Sequence, residues 1–339
     1  MQLLNPNNTI SILICTYNGE KYLVEQLESI RNQEFKPDKV LIYDDCSTDA
    51  SVKIINDFIS IYNLESTWKL NINPTRKGWK LNFYDALSDC NDDFIFFCDQ
   101  DDIWNSDKIS IMMDIMQKNP DIFVLNGLFE TINPNGESVN ILNWTSNKDY
   151  NRKINKSSFL DTMNIWQHRI GCTMVIRKII KEQLKYFARS EYFSHDLWSS
   201  NIGALFNSCY YFNYPVIQYR IHENNACADI KGKINSSTEK ILLIENEYLE
   251  YFFNGIRSID KSLINQHEYL NFLKVISFYK HRLALIRDSN IFCFFRLILK
   301  INIYLKYFSF KQFIVDMLDG LRIRDYVRSM KHSILKYFR

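Results

Sequence analysis

Phe94-Ile95-Phe96-Phe97-Cys98-Asp99-Gln100-Asp101-Asp102-Ile103-Trp104 passes from an unbroken apolar run directly into a cluster of carboxylates. An apolar run of this length without alternation reads as a buried strand of a covered sheet, with the acids at its carboxyl end. Upstream, Ile10 to Cys15 is a second apolar run. It is ended by Thr16-Tyr17-Asn18-Gly19 and followed by helical spacing from Tyr22 to Asn32 through Leu23, Leu27 and Ile30. Lys39 to Tyr43 reads as a strand, Asp44-Asp45-Cys46-Ser47-Thr48-Asp49 as a polar turn with a helix-start signal, and Val52 to Ile61 as a helix. Trp68 to Ile72 reads as a strand and Trp79 to Ser88 as a helix. Strands and helices alternating at this spacing predict a parallel sheet. Right-handed crossovers then bring the three polar turns to one carboxyl edge, where open α/β sheets bind ligands.

Downstream, Ile103 to Lys118 reads as a helix stopped by Asn119-Pro120, and Phe123 to Asn140 as strand material around Asn133-Pro134-Asn135-Gly136. Residues 143–167 are polar and carry no clear pattern. Gly171 to Arg177 reads as a strand, Lys178 to Phe187 as a helix, and Leu197 to Phe206 as a helix behind Ser194-His195-Asp196. From about Ser237 onward the chain is helical in pattern, with aromatic and aliphatic residues interleaved with Lys and Arg.

With 339 residues, 46% hydrophobic and 24% charged, the chain can bury a sizeable core, which excludes a disordered, collagen-like or disulfide-scaffold protein. Charge is unevenly divided: residues 1–260 hold 26 Lys and Arg against 34 Asp and Glu, residues 261–339 hold 15 against 5. A basic tail on an acidic body points to an anionic partner, a membrane surface or nucleic acid. No stacking platform or recognition motif supports nucleic acid. The longest apolar stretch, Ile291 to Phe310, has spanning length but is interrupted by Arg296, Lys300 and Lys306. That leaves a helix lying among lipid headgroups or an ordinary bundle packed on the main domain. The eight cysteines form no C-x-x-C pair, which argues against a zinc ribbon, and the N-terminus lacks the cationic region of a secretory signal. The expectation is a cytoplasmic protein with free thiols, peripheral at the inner face of the cell membrane.

Carboxylates crowded as at Asp99, Asp101 and Asp102 repel one another unless a hard cation such as Mg²⁺ or Mn²⁺ neutralises them; the alternative is a solvated, capped helix start. Asp44-Asp45 can bond a nucleobase or ribose, or cap the next helix. Taken jointly, Thr16-Tyr17-Asn18, Asp44-Asp45 and Asp99 to Asp102 outline a nucleotide pocket with a metal for a diphosphate.

The ordered set Ile10 to Asn18, Tyr43 to Asp49 and Cys98-Asp99-Gln100-Asp101-Asp102-Ile103-Trp104 resembles the family 2 glycosyltransferases, over roughly residues 9 to 225. The Asp-Gln-Asp-Asp-Ile-Trp form is similar to bacterial rhamnosyltransferase-like members. Cys46 departs from the Gly or Asn usual after the paired acids, which bears on the turn but removes no carboxylate. The resemblance implies a GT-A fold, an α/β Rossmann-like mixed sheet flanked by helices. This domain would occupy residues 1–235, with a donor part to about 120 and an acceptor part to 235, ahead of a helical, basic-aromatic extension over 236–339. It also implies an inverting hexosyltransferase that uses a UDP- or dTDP-sugar and Mg²⁺ or Mn²⁺. The acceptor would be a glycan or lipid-linked saccharide in surface-polysaccharide synthesis.

Carried onto this chain, the resemblance implies that Thr16, Tyr17 and Asn18 line the base pocket, Asp45 bonds the pyrimidine and Asp99 approaches the ribose. Asp101 holds the metal and Asp102 orients the loop. Ser194-His195-Asp196-Leu197-Trp198 carries the catalytic base, Asp196, with helix capping as its bland alternative. His195, Trp198 and Gly171-Cys172-Thr173 lie on the acceptor side, unless His195 points the other way. Lys80, in the basic loop Arg76 to Asn82, faces the donor, unless that loop is simply a solvated basic turn. In Tyr219 to Asn225, Arg220 reaches the pyrophosphate and His222 completes the metal shell, unless its imidazole is merely packed.

A hydrophobic strand before Asp-x-Asp also opens the haloacid dehalogenase-type phosphatases, with Asp99 as nucleophile. That family favours Thr or Val where Asp102 stands and places the motif near the domain start. A non-catalytic scaffold of the same fold is a third reading, opposed by the presence of Asp45, Asp99, Asp101 and Asp196.

Overall fold

The computed structural model describes residues 8–139, 150–162, 170–187, 195–223, 225, 238–302, 305 and 310–321. Ser194, Lys306 and much of the polar stretch 143–167 lie outside the described residues. The chain divides into two compact units, Met1–Asn225 with Lys261–Asn265, and Ala226–Asp260 with Gln266–Arg339.

Among the described residues the first unit is built on a nine-stranded mixed sheet. Its opening half alternates as read: β1 (Ile10–Thr16), α1 (Leu23–Arg31), β2 (Lys39–Asp44), α2 (Ser51–Ile61), β3 (Trp68–Ile72), α3 (Trp79–Asp89) and β4 (Phe94–Cys98). β1 and β4 are buried along their whole length, as strands covered on both faces must be. β3, β2, β1 and β4 lie side by side and parallel, so Thr16, Asp44 and Cys98 all end at one edge. The apolar faces of α1 and α2, Leu23, Leu27, Ile30, Ile55 and Phe58, join the strand interiors Ile12, Val40, Ile42 and Phe96 in one core.

Beyond β4 the sheet becomes mixed, in the order β4-β8-β6-β9-β5. β5 is Ile103–Trp104, followed by α4 (Lys108–Lys118), β6 (Val124–Ile132), β7 (Ile154–Lys156), α5 (Phe159–Thr162), β8 (Met174–Arg177), α6 (Lys178–Leu184), α7 (His195–Leu205) and β9 (Cys209–Arg220). Two readings need correction, and one strand was not read. Ile103 and Trp104 do not open a helix; they pair antiparallel with Gln218 and Ile217 of β9. Gly171–Thr173 is a 3₁₀ turn, and strand begins only at Met174. The long β9, which pairs with β6, β5 and β7, has no counterpart in the sequence reading.

The second unit is helical, with α8 (Thr238–Ile256), α9 (Gln266–Asp288), α10 (Ile291–Ile298) and α11 (Phe310–Gly320). Tyr248, Phe252 and Phe272 are fully buried between α8 and α9, the latter two rings meeting edge-on at 5.3 Å. Arg282 and Asp316, both buried, pair at 2.7 Å between α9 and α11. Among the described residues no helix is long and apolar enough to cross a membrane.

Candidate active site

The turn after β2 is knitted to the turn after β1. Buried Asp44 accepts from the Thr16 hydroxyl at 2.8 Å and from the Ser47 hydroxyl and N–H at 2.6 and 2.8 Å. Asn18 accepts from the Thr48 N–H at 2.8 Å, and its own N–H donates to Ser47 at 2.9 Å. Cys46 holds a φ of 66°, the left-handed region that favours Gly or Asn, so the turn expected of those residues is kept at the cost of strain.

Asp45 is almost entirely buried and its oxygens are taken: Asn73 Nδ2 and Lys77 N–H donate to Oδ1 at 3.1 and 2.7 Å, Gly78 N–H to Oδ2 at 2.7 Å. It therefore fixes the basic loop, where Gly78 at φ 83° starts α3. The expected contact of Asp45 with a base would have to use the acceptor capacity these three bonds leave. Thr16 is likewise committed to Asp44. Tyr17 keeps a face toward the loop, with the exposed Arg76 guanidinium 4.0 Å from its ring centre, and Lys80 lies against the half-exposed Trp79.

The turn after β4 is the opposite case. Asp102 is fully buried; one oxygen accepts from the Arg220 N–H at 3.0 Å, while Oδ2 has no hydrogen bond among the described residues. Burial and the charges of Asp101 and Asp99 push its carboxyl well above the usual range. Asp99 is pushed to about 7 by burial, then by Asp101 and Asp196. Asp99, Asp102 and Cys172 bring their ligand atoms within 4.8 Å of one another. Burial holds the Cys172 thiol well above its ordinary value, so it stays protonated beside the acids as a weak donor. Gln100 locks the turn to β1, accepting from the Tyr17 N–H at 2.8 Å and donating to the Tyr17 carbonyl at 3.1 Å.

Asp101 places its Oδ2 2.8 Å from His222 Nε2, and both side chains are largely but not fully buried. The structure thus joins two residues far apart in the chain that the resemblance assigns to one metal. The donor set of Asp101 and His222, a carboxylate and an imidazole, suits a divalent cation, and Asp99, Asp102 and Cys172 form an acidic group beside the same turn. Arg220 is corrected: it is fully buried. Its Nε donates to the Asp101 carbonyl at 2.9 Å, Nη1 to the Pro134 carbonyl at 3.2 Å and Nη2 to Glu25 at 2.5 Å, so it clamps the acidic turn and is not turned to a ligand.

Asp196 lies in the first turn of α7. Its Oδ2 accepts from the Gly171 N–H at 3.1 Å and its Oδ1 from the Leu197 N–H at 2.7 Å. A side chain at Gly171 would place Cβ 2.6 Å from His195 Nε2, so only glycine permits this approach. His195 is buried among Phe83, Phe97 and Trp79, at 3.9, 4.4 and 6.4 Å between ring centres, and desolvation pulls it down to about 4. Trp198 is fully buried against Phe187, and Thr173 donates to the Ile170 carbonyl at 2.8 Å. Lys108 was not singled out by the sequence reading. It is fully buried, donates to the Cys172 carbonyl at 2.6 Å and is pulled down by burial to about 7, with Asp102 and Asp99 opposing. Its only sequence signal is a place on the helix face of Met112 and Ile115.

The family described as Glycosyl transferase family 2 matches residues 11–184, just over half of the chain. A "dTDP-rhamnosyl transferase RfbG" of Shigella flexneri is 29% identical over 291 residues, covering 79% of this chain and 94% of the relative. An uncharacterized glycosyltransferase of Haemophilus influenzae is 23% identical, covering 76% and 77%. Among solved structures, S. aureus TarS 1–349 in complex with UDP-GlcNAc superposes with a TM-score of 0.57 at 18% identity, over 80% of this chain and 72% of that one. That likeness shows a shared GT-A-like fold.

Proposed function

The chain belongs to glycosyl transferase family 2, and from that premise we propose that it transfers one sugar, with inversion, from a dTDP- or UDP-sugar to a hydroxyl of a glycan or lipid-linked acceptor. The reading places this work in surface-polysaccharide synthesis, at the inner face of the cell membrane. dTDP-rhamnose is the favoured donor, since the relative aligned over most of its length is named for it.

One observation carries the proposal: Asp101, at the end of β4, and His222, just beyond β9, meet at 2.8 Å beside Asp99, whose carboxyl is pushed to about 7 by burial first and then by the charges of Asp101 and Asp196. A sugar hydroxyl is a weak nucleophile, and Asp196, set by Gly171 and Leu197, takes its proton as the oxygen attacks the anomeric carbon. A single displacement inverts that carbon. Asp101 and His222, with Asp99 beside them, would hold Mg²⁺ or Mn²⁺, which when bound neutralises the diphosphate leaving group. Tyr17 and Arg76 wall the nucleoside, and Asp45 acts through the 76–78 loop it anchors.

The test is nucleoside-diphosphate release from a panel of dTDP-, UDP- and GDP-sugars, with Mn²⁺ or Mg²⁺, free glycans and lipid-linked saccharides. One donor should be consumed in a metal- and acceptor-dependent way, giving a glycoside of opposite anomeric configuration. Retained configuration, or Asp99-dependent hydrolysis of an aryl phosphate with no donor consumed, contradicts the reading.

A further inference from the structure

The segment after Asn290 takes no part in the transfer chemistry, yet its two faces differ sharply. Asn290 caps α10, its side chain accepting from the N–H groups of Phe292 and Cys293 at 3.0 and 3.3 Å. On the inner face Leu297 is fully buried. Arg296 donates to His281 Nε2 at 3.2 Å and Lys300 to the Ser277 hydroxyl at 2.7 Å, which ties both cations back to α9. On the outer face Phe292, Phe295 and Leu299 are 76%, 58% and 86% exposed. Their spacing of three and four residues places them on one stripe, bordered by Ile298. Two phenylalanines and a leucine held together in water mark a surface that meets something apolar.

Charge decides between occupants. The 15 Lys and Arg against 5 Asp and Glu of residues 261–339 would set two copies against each other, whereas an anionic bilayer attracts them and accepts the stripe. We propose that α10 lies in the plane of an anionic lipid surface, with Phe292, Phe295 and Leu299 inserted at the headgroup–acyl boundary. The inference rests on the proposed location at the inner membrane face and adds to it the inserting residues and their orientation.

The test is flotation of the full chain with phosphatidylcholine vesicles, with and without phosphatidylglycerol. The wild type should float with the anionic vesicles, and F292S/F295S/L299S should partition about tenfold less or weaker still. F292K/F295K gives the discriminating sign. It adds positive charge, so purely electrostatic adsorption would tighten, whereas insertion predicts weaker binding than wild type. Phe292→Trp, which keeps the aromatic bulk, should be quenched by lipids brominated along the acyl chain. A wild type that stays unbound, a lysine variant that binds as well as wild type, or a wild-type dimer that the serine variant converts to monomer each overturns the proposal. Donor consumption in vesicle-free solution, followed on the same preparations, stays at the wild-type level in all these variants. Its failure in the wild type would count against the transfer reading and leave the vesicle result standing.

Discussion

At the carboxyl ends of β2 and β4 the chain places two acidic turns on one sheet edge and treats them in opposite ways. Asp44 and Asp45 are buried with their oxygens supplied by hydroxyls and backbone N–H groups of neighbouring loops. Asp99 and Asp102 are crowded and raised, and one Asp102 oxygen is left without a hydrogen bond among the described residues. Carboxylates saturated by their own protein are architecture; the crowded acids after β4 are where the proposed cation and diphosphate would meet unspent negative charge.

The contrast breaks most visibly at Asp101. Asp101→Ala should lower Mn²⁺-dependent donor turnover by about a thousandfold or more while costing only about 1 kcal/mol in metal-free unfolding, the loss of one carboxylate–imidazole contact. Asp45→Ala should do the reverse. It strands the N–H groups of Lys77 and Gly78 and the Asn73 amide, and should cost about 3 kcal/mol in denaturant unfolding. A stable Asp45 variant that has lost only turnover would erase the distinction between the turns.

His195 sharpens the comparison, since both its ring nitrogens are buried without a hydrogen bond among the described residues. Its folded value near 4 lies below the ordinary 6.5, so its contribution is fully present above pH 6.5. As the pH falls toward 4, the unfolded chain takes up a proton that the folded one refuses, and that stability is lost. Asp99, raised to about 7, works in the opposite direction over part of the same range, so the difference between wild type and variant is the useful quantity. His195→Phe should gain about 2 kcal/mol relative to wild type on going from pH 7.5 to pH 5. Equal slopes of stability against pH would place a proton on the buried ring. The smallest effect belongs to the saturated turn: Cys46→Gly relieves a left-handed φ and should stabilise by about 1 kcal/mol in thermal unfolding, with turnover unchanged.

The same contrast explains what the sequence made legible. β1 to β4 were readable because continuous apolar runs and polar turns alternate there in strict order. β9 was not, because Cys-Tyr-Tyr-Phe-Asn-Tyr-Pro-Val-Ile-Gln-Tyr-Arg alternates poorly and contains Pro215, which ordinarily argues against an interior strand. In the fold Pro215 meets Leu128 at an irregularity in the β6–β9 pairing. With β9 missed, the partner that makes Ile103-Trp104 a strand was missing too. At the site, residue type and spacing singled out Asp101 and His222, which the fold brings to 2.8 Å, and Asp196, in the first turn of α7. They could not distinguish a ligand-facing Arg220 from one buried beneath the acidic turn, because that depends on Glu25, Asn133 and Pro134 arriving from elsewhere in the chain. Lys108 escaped for the same reason, since its partners Cys172, Asp99 and Asp102 come together only on folding.

The decisive measurement is calorimetric titration of dTDP and UDP into the wild type, Asp101→Ala and Asp196→Asn, each with and without Mn²⁺. Metal-dependent nucleotide binding that survives in Asp196→Asn and vanishes in Asp101→Ala is the predicted result. Binding that ignores both the metal and the loss of Asp101 would show that the turn after β4 is as architectural as the turn after β2.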